Sequence, residues 1–131
     1  MQLTIITPEK TVLNETVTSI QAQATDGWFG ILPQHIPMVT PLRVSVLRYK
    51  TVNDETHQMA VMGGLLQTDG KTTQVLCDAA ETATEIDVLR ARQAKERAEA
   101  RLKNSEASVV SDRAQIALTR SLARLQAAGK A

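Results

Sequence analysis

The residues with the clearest capacity for chemistry are arginines in the last third of the sequence, which follow an aspartate. At about 100° per residue from Asp87, a helix places Arg90, Arg97 and Arg101 within roughly 40° of one another. A second group shares one face of the following helix: Arg113, Arg120 and Arg124. A planar guanidinium donates two hydrogen bonds at once, and a helix N-terminus adds free N–H groups. The cluster therefore suits a phosphate-containing ligand.

Two other interpretations of these arginines stay open on spacing alone. In the first, they form a solvated helix face and pair with Glu96, Glu99 or Asp87 about one turn away. In the second, they belong to a basic helical hairpin that binds nucleic acid. That function needs stacking aromatics or a larger excess of basic residues, and residues 85–131 contain no aromatic residue. We therefore expect no nucleic-acid partner.

Catalysis and metal binding have little support in the sequence. The two histidines, His35 and His57, lie far apart, and no serine or cysteine stands in a recognisable nucleophile context. One cysteine and two histidines do not provide the ligands of a structural zinc site. Neither a phosphate-binding Gly-x-x-x-x-Gly-Lys-Ser/Thr loop nor a Gly-x-Gly-x-x-Gly motif occurs. The sequence predicts a protein that is not an enzyme and has no metal site.

Residues 85–131 predict two helices that position the arginines. Good helix formers dominate this segment, Asp87 is suited to cap the first helix, and the region from Asn104 to Val109 is the natural break. Each helix has a stripe of small or aliphatic residues at helical spacing: Ala91, Ala94, Ala98 and Leu102 in the first, and Ala114, Leu118, Leu122 and Leu125 in the second. Two such helices with a short connection form an antiparallel hairpin.

Residues 1–84 predict an antiparallel β-sandwich or barrel. Short segments of alternating apolar and polar residues are separated by turn signals, and the pair Gly63-Gly64 indicates a bulge or a close backbone approach. Strands first and helices last give an α+β fold with two domains, residues 1–84 and 85–131. The first part carries five basic and eight acidic residues, the second ten and six. The two parts are therefore suited to different neighbours.

Composition indicates a globular protein with an aliphatic core. Of 131 residues, 43% are apolar and 22% are charged, and only three are aromatic. The N-terminus has no leader pattern, and no apolar run approaches the roughly 20 residues that span a bilayer. We therefore expect a cytoplasmic protein without direct membrane insertion. The single cysteine, Cys77, lies in a strand-like run and is expected to be a buried structural thiol.

Three segments in the same order resemble the ε subunit of F-type ATP synthases, and together they cover essentially the whole chain. Gly30–Val39 resembles the signature loop of that family, and Ala60–Leu65 resembles its second landmark. Ala79–Ala91 is similar to the start of the family's regulatory hairpin. The resemblance implies a β-sandwich followed by a helical hairpin, in agreement with the periodicities.

The resemblance also implies partners and a role. It implies a non-catalytic subunit of the central stalk, or rotor, which lies peripherally on the cytoplasmic side of the bacterial cell membrane. The sandwich is expected to bind the γ subunit and the ring of c subunits. The hairpin is expected either to fold onto the sandwich or to extend toward the catalytic α and β subunits, where it blocks ATP hydrolysis. The expected partner contacts lie in the signature loop: Gly30, Leu32, Pro33, His35 and Pro37.

A subset of bacterial ε subunits binds ATP through the motif Ile/Leu-Asp-x-x-Arg-Ala, which the segment from Ile86 to Ala91 matches. The resemblance therefore implies an ATP site made of eight residues: Glu81, Ile86, Asp87, Arg90, Ala91, Arg97, Arg120 and Arg124. In this hypothesis the arginines bind phosphate, and Glu81 and Asp87 contact ribose or adenine. ATP would be a regulatory ligand that is not hydrolysed, and the Mg²⁺ requirement stays open. The alternative is the same rotor subunit without useful nucleotide binding.

Overall fold

Seven strands precede two helices in this computed structural model, which describes residues 1–104 and 108–129. The strands are β1 Gln2–Ile6, β2 Thr11–Ala24, β3 Gly27–Ile31, β4 Met38–Thr51, β5 Thr56–Thr68, β6 Thr72–Leu76 and β7 Ala80–Thr82. The helices are α1 Val88–Asn104 and α2 Ser108–Ala127. The predicted order of a β domain followed by a two-helix hairpin is confirmed.

Five of the strands close into a ring. Strand β1 pairs with both β2 and β6, and the pairs β6–β5, β5–β4 and β4–β2 complete the circuit. Strand β3 extends the sheet beside β2, and β7 pairs with β5. All these pairings are antiparallel except β1–β6, which is parallel. That exception to the expected antiparallel pattern is possible because the intervening strands provide the long crossover that parallel neighbours need.

The prediction of short strands throughout was wrong for β2, β4 and β5, which have 14, 14 and 13 residues. The sequence pattern divides β5 at Gly63 and Gly64, but the strand continues through them. Both glycines adopt positive φ, and the register places Leu42 opposite Gly64 and Val44 opposite Met62. The glycines thus bend the strand without ending it.

Gly64 also allows the predicted close backbone approach. A Cβ atom at this position would lie 2.2 Å from the carbonyl oxygen of Leu76 and 2.9 Å from the Cα of Cys77. The φ of 113° is a second obstacle to any other residue. This part of the β5–β6 pair therefore requires glycine.

Replacement of Gly64 by alanine is expected to lower the free energy of unfolding by about 2 kcal/mol, because strand β6 must move away and the backbone is strained. Urea denaturation followed by circular dichroism measures the change. The matched control is Gly30→Ala, where the nearest atom to an added Cβ is 3.8 Å away. Equal stability losses in the two variants would contradict the close-approach explanation.

The core of the β domain is aliphatic, as the composition predicts. Its fully buried side chains come from all sides of the strand ring: Leu3, Ile5, Ile20, Ile31, Leu47, Met59, Leu66 and Val75. Cys77 is also buried, as the sequence predicts for this thiol. Burial, with a smaller contribution from the nearby charge of Asp78, raises the pKa of the Cys77 thiol above its ordinary value. A raised pKa keeps the thiol protonated and poorly nucleophilic at neutral pH.

The hairpin follows the predicted pattern. The Asp87 side chain caps α1, since its Oδ1 accepts a hydrogen bond from the backbone N–H of Arg90 at 3.0 Å. Each predicted stripe contributes buried residues to the helix interface, including Ala98 of α1 and Ala114 of α2. The break expected between Asn104 and Val109 falls largely on residues 105–107, which lie outside the described residues.

The end of α2 packs on the outside of β4 and β5, where it forms a second, smaller apolar cluster. We call this cluster the seat. Its buried members are Val46, Ala60, Met62, Ile86 and Ala127, with Val44, Ala79, Val88 and Ala128 at its margin. The seat is separate from the main core of the β domain. The β domain therefore has its own complete interior, and the hairpin rests on its surface.

Candidate functional site

A cavity of about 400 Å³ lies where the hairpin meets the β domain. Its walls come from β7, from the turn before α1, from one face of α1 and from the last turns of α2. The lining residues are Glu81, Glu85, Asp87, Arg90, Ala91, Ala94, Arg97 and Arg124. This volume falls within the range of small-molecule sites. The structure therefore brings six of the eight predicted ATP-binding residues to one cavity.

The two other predicted residues lie elsewhere. The side chain of Ile86 is buried in the seat, 7% exposed, where it packs under α2. Arg120 is exposed and does not line the cavity. It precedes Arg124 by about one helical turn, which carries it away from the β domain end of α2.

Sequence reasoning missed two lining residues, Glu85 and Ala94. Ala94 lies three residues after Ala91 and three before Arg97, so its helical spacing could have placed it on the same face. Glu85 belongs to a turn, where no periodicity applies. Its Oε1 accepts a hydrogen bond from the hydroxyl of Thr82 at 2.8 Å, and its backbone N–H donates to the Thr82 carbonyl at 3.1 Å. These bonds hold the turn that leads into α1.

An ion pair crosses the cavity from the β domain to the hairpin. The Nε of Arg124 donates to Glu81, with both carboxylate oxygens at 3.2 Å. The two side chains are partly buried, with exposed fractions of 31% and 29%. Because one residue lies on β7 and the other on α2, this geometry exists only when the hairpin is docked.

The first turn of α1 provides the opposite wall. Asp87 caps the helix with one carboxylate oxygen, and Arg90 follows on the same side. Arg97 lies two turns further along, and its Nε donates to the carbonyl of Gln93 at 3.4 Å. The lining thus combines three carboxylates with three guanidiniums. Such a site can bind a ligand that has both anionic groups and hydrogen-bond donors.

A second candidate surface is the loop between β3 and β4, which contains the predicted partner contacts. Gly30 lies in β3, Leu32, Pro33 and Pro37 are exposed, and His35 is half-buried. Three large apolar side chains of this region face solvent, and together we call them the loop patch: Leu32 (64% exposed), Ile36 (76%) and Val39 (63%). Neighbouring exposed apolar residues of this kind are typical of a protein interface.

The turn between β5 and β6 packs against this loop and holds its backbone in place. The backbone N–H of Gln34 donates to the carbonyl of Gly70 at 2.8 Å, and a Cβ at Gly70 would lie 2.6 Å from the carbonyl oxygen of His35. Asp69 orders this turn by accepting hydrogen bonds from the backbone N–H groups of Thr72 and Lys71, which lower the pKa of its carboxyl. The loop patch is therefore presented on a defined backbone.

Neither a metal cluster nor a membrane-spanning helix is found in the part of the chain that the structure describes. Across residues 1–104 and 108–129, no group of three or more histidine, cysteine, aspartate or glutamate side chains is arranged to bind a metal ion. Within the same ranges, neither helix is both long and apolar enough to cross a membrane.

The fold places the chain among proteins in which a β domain carries a C-terminal pair of helices. Residues 1–83 match the family model of the β-sandwich domain of the ATP synthase delta/epsilon chain. Residues 84–129 match the model of the long α-helix domain of the same chain. The chain belongs to the ATP synthase delta/epsilon chain family, as the resemblance predicts.

Relatives and solved structures agree with this assignment. The chain is 48% identical to the ATP synthase epsilon chain of Symbiobacterium thermophilum, over 98% of this chain and 93% of that protein. It is 44% identical to that of Nitratidesulfovibrio vulgaris, over 100% and 97%. It is also similar to a chain in the Euglena gracilis mitochondrial ATP synthase, in a structure of OSCP, F1 and the c-ring. There the TM-score is 0.84 and the identity 25%, with coverage of 96% of this chain and 79% of the other. A chain of the Tetrahymena thermophila central stalk and c-ring shares the fold at a TM-score of 0.65 and 16% identity, over 98% and 96%.

Proposed function

We propose that the chain is a non-catalytic rotor subunit of a bacterial F-type ATP synthase whose helical hairpin regulates ATP hydrolysis and is held in its docked state by ATP. The observation that carries the proposal is the cavity at the junction of the two parts. Glu81 of the β domain, Arg90 of α1 and Arg124 of α2 all line it. A ligand that contacts all three binds the docked hairpin and not an extended one.

The lining residues provide complementary contacts for a nucleotide. Arg90, Arg97 and Arg124 donate to phosphate oxygens. The carboxylates of Glu81 and Asp87, together with that of Glu85, accept from ribose hydroxyl or adenine amino groups. ATP serves here as a signal, and its phosphates are not transferred. The lining offers three arginines to hold the phosphates.

The free energy by which ATP stabilises the docked hairpin depends on the ATP concentration relative to Kd. A ligand that binds only the docked state stabilises it by about 0.4 kcal/mol when its concentration equals Kd and by about 2.7 kcal/mol at a hundredfold excess. A sensor is responsive only if its Kd lies within the working range of ATP concentration. Falling ATP then releases the hairpin, which extends toward the catalytic α and β subunits and stops hydrolysis.

The proposed rotor subunit also binds the γ subunit and the c-ring, and the loop patch supports these contacts. It combines exposed apolar side chains with a backbone fixed by Gly70. This combination suits a permanent interface, because little conformational freedom is lost on binding. The β domain is the fixed part of the subunit in this scheme and lies on the cytoplasmic side of the membrane without entering it.

Calorimetric titration of ATP into the full-length protein tests the ligand. Saturable binding is expected, with about tenfold lower affinity for Arg90→Ala, which loses one charged donor to phosphate. The matched control is Arg92→Ala, because Arg92 is exposed on the same helix and does not line the cavity. Absence of binding to the unaltered protein, or release of phosphate from ATP, would contradict the sensor. Tight binding of random DNA would favour the nucleic-acid alternative.

A further inference from the structure

The ion pair between Glu81 and Arg124 has two properties that a simple ligand contact does not require. The first is its orientation. Both carboxylate oxygens of Glu81 lie 3.2 Å from the Nε of Arg124, which is the inner nitrogen of the guanidinium. Among the described residues, the two terminal nitrogens of Arg124 have no hydrogen-bond partner. The pair thus fixes the guanidinium and leaves its outer donors available in the cavity.

The second property is its position in the fold. Glu81 lies on β7, where it pairs with Ala60 of β5, and Arg124 lies in the last turn of α2. Within residues 1–104 and 108–129, this is the one ion pair that joins the β domain to the hairpin. The others, Lys50 with Asp54 and Lys95 with Glu99, connect near neighbours in sequence, as does the contact between the His57 ring and Glu55.

An apolar contact lies at the same junction. At the end of the hairpin, Ala127 of α2 and Ala128 after it pack in the seat, next to Ile86 from the segment before α1. An alanine side chain removes much less apolar area from water than a leucine or phenylalanine does. The ion pair adds to this apolar contact, and it is the part of the junction that a change of charge can test.

We propose that Glu81 is a latch for the docked hairpin and a positioning residue for Arg124, in addition to its proposed contact with the nucleotide. It docks the hairpin before any nucleotide binds, and it aims the terminal nitrogens of Arg124 at the phosphate position. The second role rests on the proposed ATP function, whereas the latch does not. Nucleotide then adds its stabilisation to a hairpin that is already partly docked.

Exchanging the charges of Glu81 and Arg124 tests the latch independently of nucleotide binding. Glu81→Arg and Arg124→Glu each create a like-charge pair and are expected to shift the ratio of docked to undocked hairpin at least about tenfold toward undocked. The double variant restores an attractive pair and is expected to recover most of the docked population without nucleotide. Glu81→Gln, which removes the charge without repulsion, should produce a smaller shift of about threefold to fivefold.

Docking is measured without nucleotide by electron paramagnetic resonance between nitroxide labels on the full-length chain. The labels are attached at Asn53→Cys and Gln115→Cys, both exposed, in a Cys77→Ala background. Glu99→Gln is the matched control, because it breaks the Lys95 ion pair inside α1 and should leave docking unchanged. Circular dichroism verifies that each variant is folded.

The outcomes distinguish the latch from the ATP proposal. Docked single variants, or a folded double variant that stays undocked, would overturn the latch. If the exchange restores docking but the unaltered protein does not bind ATP, the latch stands and the sensor function fails. If both proposals hold, the docked double variant still binds ATP weakly, because α2 has lost the one arginine that it places in the cavity. Equal ATP affinity in the double variant and the unaltered protein would overturn the positioning role.

Discussion

Arg124→Ala is expected to lower the affinity for ATP at least about 100-fold, or about 3 kcal/mol. The variant loses a charged hydrogen-bond donor to phosphate, which contributes about 1.5–3 kcal/mol. It also leaves the Glu81 carboxylate, 29% exposed, without its partner in the cavity that receives the anionic nucleotide. Both effects weaken binding, and their sum makes this the largest expected change among the arginines of the cavity.

Two further variants show whether the loss of ATP affinity comes from the specific contacts of Arg124. Arg124→Lys keeps the charge but loses the planar fork, and an intermediate loss of about tenfold is expected. Arg113→Ala serves as the control on the same helix, because Arg113 is exposed and does not line the cavity. Calorimetry on the three proteins gives the affinities. Similar losses for Arg113→Ala and Arg124→Ala would indicate a general charge effect and contradict a specific site.

The second large effect is expected at the loop patch. A double substitution, Leu32→Asp with Ile36→Asp, is expected to weaken binding to γ and the c-ring at least about 1,000-fold, since buried apolar contacts at the centre of an interface cost about 2–4 kcal/mol each when lost. The two side chains are 64% and 76% exposed, so folding should be preserved. Co-purification with separately tagged γ and c-ring provides the measurement.

Val52→Asp is the control for the loop patch. Val52 is an apolar side chain with a matching exposed fraction of 64%, but it lies in the turn between β4 and β5. It should retain full co-purification. Normal assembly of the Leu32 and Ile36 double variant would show that γ and the c-ring contact another surface. Loss of assembly in the Val52 variant as well would indicate a general solubility effect.

The sequence predicted the kinds of elements better than their pairing. Alternation and turn residues indicated strands up to Cys77, and helix formers after Asp87 indicated the hairpin, whereas the short strand β7 was missed. The parallel pairing of β1 with β6 was not predictable, because it joins segments about 70 residues apart that carry no mutual signal. The continuity of β5 was missed because Gly63 and Gly64 resemble a turn in sequence, although here they bend a strand.

In the candidate site, too, local features could be predicted from the sequence, whereas contacts between distant segments could not. Helical spacing places Ala91, Ala94 and Arg97 on one face of α1, and the cap at Asp87 follows from local chemistry. The distance between Glu81 and Arg124 depends on how the hairpin docks, which no periodicity encodes. The resemblance supplied both residues, but not their pairing. It also included Ile86 in the ligand site, whereas the structure buries that side chain in the seat.

The closed ring of strands has a mechanical consequence for a rotor. An open sheet under load can separate at an edge strand, because that strand is held by a row of hydrogen bonds on one side only. In the ring, β1 is bonded on one side to β2 and on the other to β6, so this strand has no free edge where such separation could begin. A twisting load is therefore shared by several rows of hydrogen bonds. In the proposed rotor function, such a β domain would transmit torque between γ and the c-ring as a stiff coupling, whichever position the hairpin takes.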